Sequence, residues 1–148
     1  MKRLLSLAIL FIISLVTKAQ DFSNKGKDFW LGYGYHCQMV NSSTGAVQTN
    51  GGTQDMILYF TSDVNSTVTV EIPAVGYTRT YSILANQVTE SEAIPKTGAQ
   101  DAKIIDTGKY NRGIHIFSNN PVVAYAHIFN ASISGASLLF PTNTLGQE

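Results

Sequence analysis

The sequence predicts an all-β domain, a β-sandwich-like antiparallel fold or a related barrel. Short segments rich in Val, Ile, Thr and aromatic residues alternate apolar and polar positions, the period-two signature of strands. Clusters of Gly, Pro, Asn, Asp and Ser interrupt these segments every eight to twelve residues. No segment carries the three-to-four-residue apolar spacing of an amphipathic helix.

The first nineteen residues stand apart from that pattern. Met1, Lys2 and Arg3 form a basic start, residues 4–16 are apolar apart from two Ser, and Thr17-Lys18-Ala19 offers small residues at the −3 and −1 positions of a cleavage site. This is the layout of a secretory signal peptide, too short to span a bilayer core of about 30 Å. Residues 20–148 are then the exported domain, about 129 residues, enough for one domain with its own core. Without Lys2, Arg3 and Lys18 the balance is 7 basic to 10 acidic groups. No basic run exists to neutralise phosphates, so neither a nucleic-acid nor an anionic-membrane partner is expected, and with the leader removed no membrane insertion of the mature chain is expected.

Residues 25–40 hold the one Trp and the one Cys of the chain and alternate throughout. Phe29, Leu31, Tyr33, Tyr35, Cys37 and Met39 share one side, which is expected to face the core; Trp30, Gly32, Gly34, His36, Gln38 and Val40 share the other. A single Cys excludes an internal disulfide, and at Cys37, between Tyr35 and Met39, it reads as a small buried hydrophobe. Residues 41–54, rich in Ser, Thr, Asn and Gly, read as a long exposed loop. Asn41, Asn65 and Asn130 begin Asn-X-Ser/Thr triplets, a pattern short enough to recur by chance.

Residues 56–61 are a short apolar run consistent with a strand covered on both sides. Residues 63–66 turn, residues 67–72 place Val68, Val70 and Ile72 inward, and residues 73–76 turn again before residues 77–83 run back as the second strand of a hairpin. A short strand falls within residues 87–94, another at 103–106, and residues 96–101 form a turn. Residues 113–117 and 122–130 are read as two strands joined by a tight turn at Ser118-Asn119-Asn120-Pro121. Residues 130–137 form a loop of small residues, and a last strand begins at Leu138 before Pro141.

Catalytic and metal chemistry find no support in these patterns. His36, His115 and His127 all lie in strand segments, and no HxH or HExxH spacing is present. The chain has no GxSxG elbow. Glu90 and Glu92, two apart, share a solvated strand side; with Asp55 they are the plausible carboxylates if the domain were a carbohydrate-active hydrolase. No catalytic residue, cofactor or metal ligand is therefore assigned.

Lys25-Gly26-Lys27-Asp28-Phe29-Trp30-Leu31-Gly32 resembles the opening of the IgGFc-binding protein N-terminal domain family, which begins many large secreted and gliding-motility-associated bacterial proteins. The run from Gly113 through Pro121 to Tyr125 is similar to that family's strand, polar turn ending in Pro-Val, and second strand, and residues 59–77 fit its hairpin. The resemblance spans residue 21 to the end. It implies cell-surface or extracellular display, a type IX secretion setting, and a non-enzymatic recognition or adhesion role toward a protein or glycan ligand. It supplies no catalytic residue and no identified ligand. Relatives continue into adhesion repeats and a sorting domain, so this chain is expected to be the N-terminal part of a larger surface protein. A carbohydrate-active hydrolase and a structural spacer domain are the alternatives.

Overall fold

The computed structural model describes residues 23–34, 44, 54–105, 107–130 and 134–145. Residues 1–22 with the expected leader, the second half of the opening stretch with His36 and Cys37, and the segment expected to be a long loop, apart from Thr44 and Gln54, lie outside the described residues.

The domain is all-β and almost wholly antiparallel. In chain order the strands are β1 (Gly26–Leu31), β2 (Tyr33–Gly34), β3 (Asp55–Thr61), β4 (Ser66–Ile72), β5 (Tyr77–Ile83), β6 (Val88–Glu90), β7 (Lys103–Ile104), β8 (Ile114–Phe129) and β9 (Ser134–Leu138). Seven of them form one sheet, ordered β5-β4-β8-β3-β6, with β1 and β9 also paired to β8. β2 and β7 make a separate two-stranded parallel pair, the exception to the antiparallel rule. Among the described residues no helix is long and apolar enough to cross a membrane.

The sheet is organised around β8, and here the structure corrects the sequence reading. Residues 118–121 do not turn; Ile114–Phe129 is one sixteen-residue strand. Its first half pairs with β1 and β4, through Trp30↔His115 and Glu71↔His115. Its second half pairs with β3 and β9, through Tyr59↔Tyr125 and Leu138↔Tyr125. Pro121 falls where β8 changes neighbours: pairing with β4 ends at Ser118 and pairing with β3 begins at Val123. A missing N–H does no harm there, because no ladder bond needs it. The polar residues that looked like a turn instead tie β8 to the β3–β4 connection. Asn119 Oδ1 accepts from the Thr67 N–H at 2.8 Å, Asn120 Nδ2 donates to the Asn65 carbonyl at 3.0 Å, and Ser62 Oγ donates to the Pro121 carbonyl at 2.9 Å.

The sheet folds over at this corner so that its halves share one core. Phe29, Val68, Val70, Ile72, Ile114 and Ile116 come from one half; Met56, Leu58, Phe60, Val122 and Ala124 come from the other, all nearly or fully buried. At about 1.5–3 kcal/mol for each large apolar side chain, this burial is the main term holding the fold together. The two ends of the sheet, β5 and β6, approach each other and nearly close it. Arg79 on β5 pairs with Glu92 just beyond β6 at 3.2 Å, and Tyr81 packs on Phe60 with ring centroids 6.1 Å apart.

The β4–β5 hairpin forms as expected, turning through a single 3-10 turn (Pro73–Val75) with Gly76 at φ 64°. That positive φ is where glycine is required. In β3, Met56, Leu58 and Phe60 are buried while Ile57, Tyr59 and Thr61 are half-buried, so its second side is only partly covered. The opening strand breaks after Leu31, with Phe29 and Tyr33 inward and Trp30 outward. Residues 134–137, read as loop, belong to β9: side chains too small to pattern still pair their backbone with β8 from Ser134↔Phe129 to Leu138↔Tyr125. The strand also stops at Leu138 rather than starting there.

Candidate functional site

The outer surface of the β1-β8-β4 half carries the most organised side-chain cluster. Register alone assembles it. Trp30, His115 and Glu71 lie directly across from one another on three adjacent strands, and Asp28, two residues before Trp30, shares its side. The Trp30 indole stacks on the His115 imidazole with centroids 4.3 Å apart and planes 9° from parallel. Phe117, two residues along β8, is tilted toward the imidazole with ring centroids 5.2 Å apart. Gly113 makes room for the indole: a Cβ there would lie 3.2 Å from the ring. Of the glycines that share the Trp30 side of the opening stretch, Gly32 also has a close neighbour, since a Cβ there would lie 3.3 Å from Ile104 of β7, whereas a Cβ on Gly34 would meet nothing within 4 Å.

Both imidazole nitrogens face carboxylates. Nε2 lies 2.8 Å from Asp28 Oδ2 and Nδ1 lies 3.0 Å from Glu71 Oε1. An acceptor on each side leaves both nitrogens to act as donors, which is the protonated form. Burial on its own would lower the His115 pKa. The hydrogen bonds with Asp28 and Glu71, together with the charges of those two groups, outweigh it and raise the pKa above the ordinary 6.5. The geometry is thus that of an imidazolium clamped between carboxylates on the two neighbouring strands. The two nitrogens of one ring point apart, so Asp28 and Glu71 do not converge on a shared point. Among the described residues no group of three His, Cys, Asp or Glu side chains is placed to hold a metal ion.

Burial grades across the cluster. His115 is 18% exposed, Glu71 31% and Asp28 44%. Trp30 is 54% exposed although its stack fixes one face, so the accessible area lies on the opposite face and the edges. Beside Asp28 a shallow pocket of about 270 Å³ continues toward the corner, lined by Lys25, Gly26, Lys27, Thr142, Asn143 and Pro121.

The other half of the sheet bears a second aromatic group on its outer side. Tyr59 and Tyr125 are cross-strand partners, His127 stacks on Phe129 at 4.8 Å, and His127 Nε2 lies 2.7 Å from Ser134 Oγ. His115 and His127 lie twelve residues apart on one strand, one in each half of β8, so no turn brings them opposite each other.

Of the three carboxylates weighed for hydrolytic chemistry, Asp55 stands apart, while Glu90 and Glu92 are exposed two residues from each other. Asp55 pairs with Lys96 at 2.8 Å, Glu92 pairs with Arg79, and Glu90 lies opposite Tyr59. Tyr59, opposite Glu90, lies four positions along β3 from Asp55, roughly 13 Å of backbone. Asp55 instead belongs to a tie beneath the β2–β7 pair. Tyr33 Oη and Lys96 Nζ both donate to the Gln54 carbonyl at 2.9 Å. Burial first, then the charges of Asp55 and Asp101, push the Tyr33 phenol up, so it stays a donor.

Asp28 and Glu71 were missed as site residues, and no local signal marks them. Their partner His115 is 87 and 44 residues away in sequence. No family model, curated protein or solved structure matches this chain.

Proposed function

We propose that this chain is a non-enzymatic recognition or adhesion module that works outside the cell or at its surface, with the outer side of β1, β8 and β4 as its binding face. One observation carries the reading. Trp30 is more than half exposed yet held rigid by a parallel stack on a doubly hydrogen-bonded imidazolium. A large aromatic side chain fixed outside the core adds little to folding but meets a ligand without an ordering penalty, which is what a binding anchor requires. The apolar leader and the resemblance of its opening motif to surface proteins support export. Asp55 and Glu92 are each held in an ion pair, with Lys96 and Arg79, which favours recognition over hydrolysis.

The test is binding of the purified chain to arrays of glycans and extracellular proteins. The reading expects saturable binding without turnover, lost on Trp30→Ala. Product release abolished by changing one carboxylate would replace it with an enzyme. Absence of binding across both arrays would replace it with a spacer domain.

A further inference from the structure

From the chemistry of the same face, we infer that its ligand is a neutral oligosaccharide, one sugar ring stacking on the open side of Trp30 and its hydroxyls donating to Asp28. This rests on the recognition reading above and names the ligand class for it.

Three features select a saccharide over other partners. The first is the platform. A planar indole with one face free matches the flat C–H face of a pyranose, and the fixed ring needs no reordering on contact. The second is the acceptor beside it. His115 engages Oδ2 of Asp28, and Oδ1 makes no hydrogen bond among the described residues. A carboxylate oxygen accepts only, so the complementary group is a donor such as a sugar hydroxyl. The third is charge. A cationic ligand on the open face would sit across one indole thickness from an imidazolium that already draws on the same π-system. An apolar peptide would strip water from the Asp28 carboxylate and offer it nothing in return. A neutral polyol meets neither obstacle.

The site also extends in one direction, which points to an oligomer rather than a single sugar. The pocket beside Asp28 has a volume of about 270 Å³ and is lined by Lys25, Gly26, Lys27, Pro121, Thr142 and Asn143, so ammonium, hydroxyl and amide groups that can donate to sugar oxygens surround it. It is slightly smaller than a typical drug-sized site, in keeping with one further sugar unit. Backbone and side chain of Asn143 and Thr142 supply both donors and acceptors there.

The chain has one Trp, so its own fluorescence reports on the site directly. The full chain is titrated with methyl β-glucoside, methyl β-galactoside, methyl β-N-acetylglucosaminide, cellotriose and chitotriose, with tetramethylammonium chloride as the cationic probe. The inference expects a saturable change in Trp30 emission with at least one of the trisaccharides, weaker with its monosaccharide glycoside. Calorimetry on variants then assigns the contacts. Trp30→Ala is expected to weaken binding by at least ~10-fold and Trp30→Phe by less, since Phe keeps a stacking face. Asn143→Ala is expected to weaken the trisaccharide while leaving the monosaccharide unchanged. Circular dichroism of each variant separates lost binding from lost folding. A response to tetramethylammonium and to no sugar overturns the inference in favour of a cationic ligand. Silence toward every probe also overturns it; the recognition reading still stands if the arrays show a Trp30-dependent protein ligand, and falls with it if they do not.

Discussion

His115→Ala tests the clamp most directly, because the change removes two hydrogen bonds and a ring stack at once. The bonds run to carboxylates that are 44% and 31% exposed, so water recovers much of what Asp28 and Glu71 lose. Hydrogen bonds to charged groups are worth about 1.5–3 kcal/mol when well buried, and exposed ion pairs about 0–1. An intermediate value of ~0.7 kcal/mol for each bond, plus ~0.5 for the Trp30 stack, gives a loss of ~2 kcal/mol. With a urea slope of about 2 kcal/mol/M for a domain of this size, the unfolding midpoint falls by ~1 M.

The pH dependence carries more information than the size of the loss. Folding raises the His115 pKa above 6.5, so the folded chain holds the proton more firmly than the unfolded one. The clamp's contribution is therefore complete below pH 6.5 and fades as pH rises through the higher folded value. A neutral imidazole donates through one nitrogen and turns a lone pair toward the other carboxylate, so about half of the loss disappears. Urea melts of wild type and His115→Ala, followed by circular dichroism at about pH 5.5 and about pH 9, read this out. The expected difference between the two proteins is ~2 kcal/mol at the lower pH and ~1 at the higher. A loss equal at both pH values, or larger at the higher, would refute the imidazolium clamp and leave His115 as neutral packing.

Three other substitutions probe the fold that positions this face. Gly26→Ala sets a methyl group 2.1 Å from Pro141 Cβ, so the segment after β9 must lift or β1 must shift; a loss of about 1–3 kcal/mol and faster amide exchange around residues 142–145 are expected. Asn119→Ala frees the Thr67 N–H at the corner of β8, and because that site is exposed the loss is ~0.5–1 kcal/mol, with faster exchange of the Thr67 amide by NMR. A large drop in stability there, or no change in that amide, would count against a continuous β8. Ile116→Ala opens a cavity in the shared core at a fully buried position and should lower stability by about 2–5 kcal/mol in denaturant melts, with no pH dependence.

Alternation in the sequence was sufficient to orient most strands. Val68, Val70 and Ile72, then Phe29 and Tyr33, turn inward as their period predicts, whereas the unpatterned apolar run of β3 gave no such signal and only the structure shows that Met56, Leu58 and Phe60 are its buried set. Side-chain direction in a strand is a local property, set by the pleat, so local pattern reveals it. The same local logic misread residues 118–121. Ser, Asn, Asn and Pro favour a turn in isolation, but here their side chains and carbonyls bond to residues 62–67, and the strand carries on. The small residues of β9 failed for the opposite reason: backbone pairing needs no side-chain signature.

The binding face was legible only in part. Strand parity already placed Trp30 on the side away from the core, and Glu71 with Thr67 and Thr69 on the outward side of its own strand. What the sequence could not reveal was that these positions meet. Trp30, His115 and Glu71 come together because β8 lies between β1 and β4 in one particular register, and a slip of one residue would turn His115 to the other side of the sheet. Periodicity is written in neighbouring residues; register is settled by which hydrophobic surfaces close over a common core. The sequence by itself determined an all-β domain and the side on which each strand presents its residues. Only the packed sheet decided that β8 runs unbroken through both halves and that an indole, an imidazole and two carboxylates from three strands become one site.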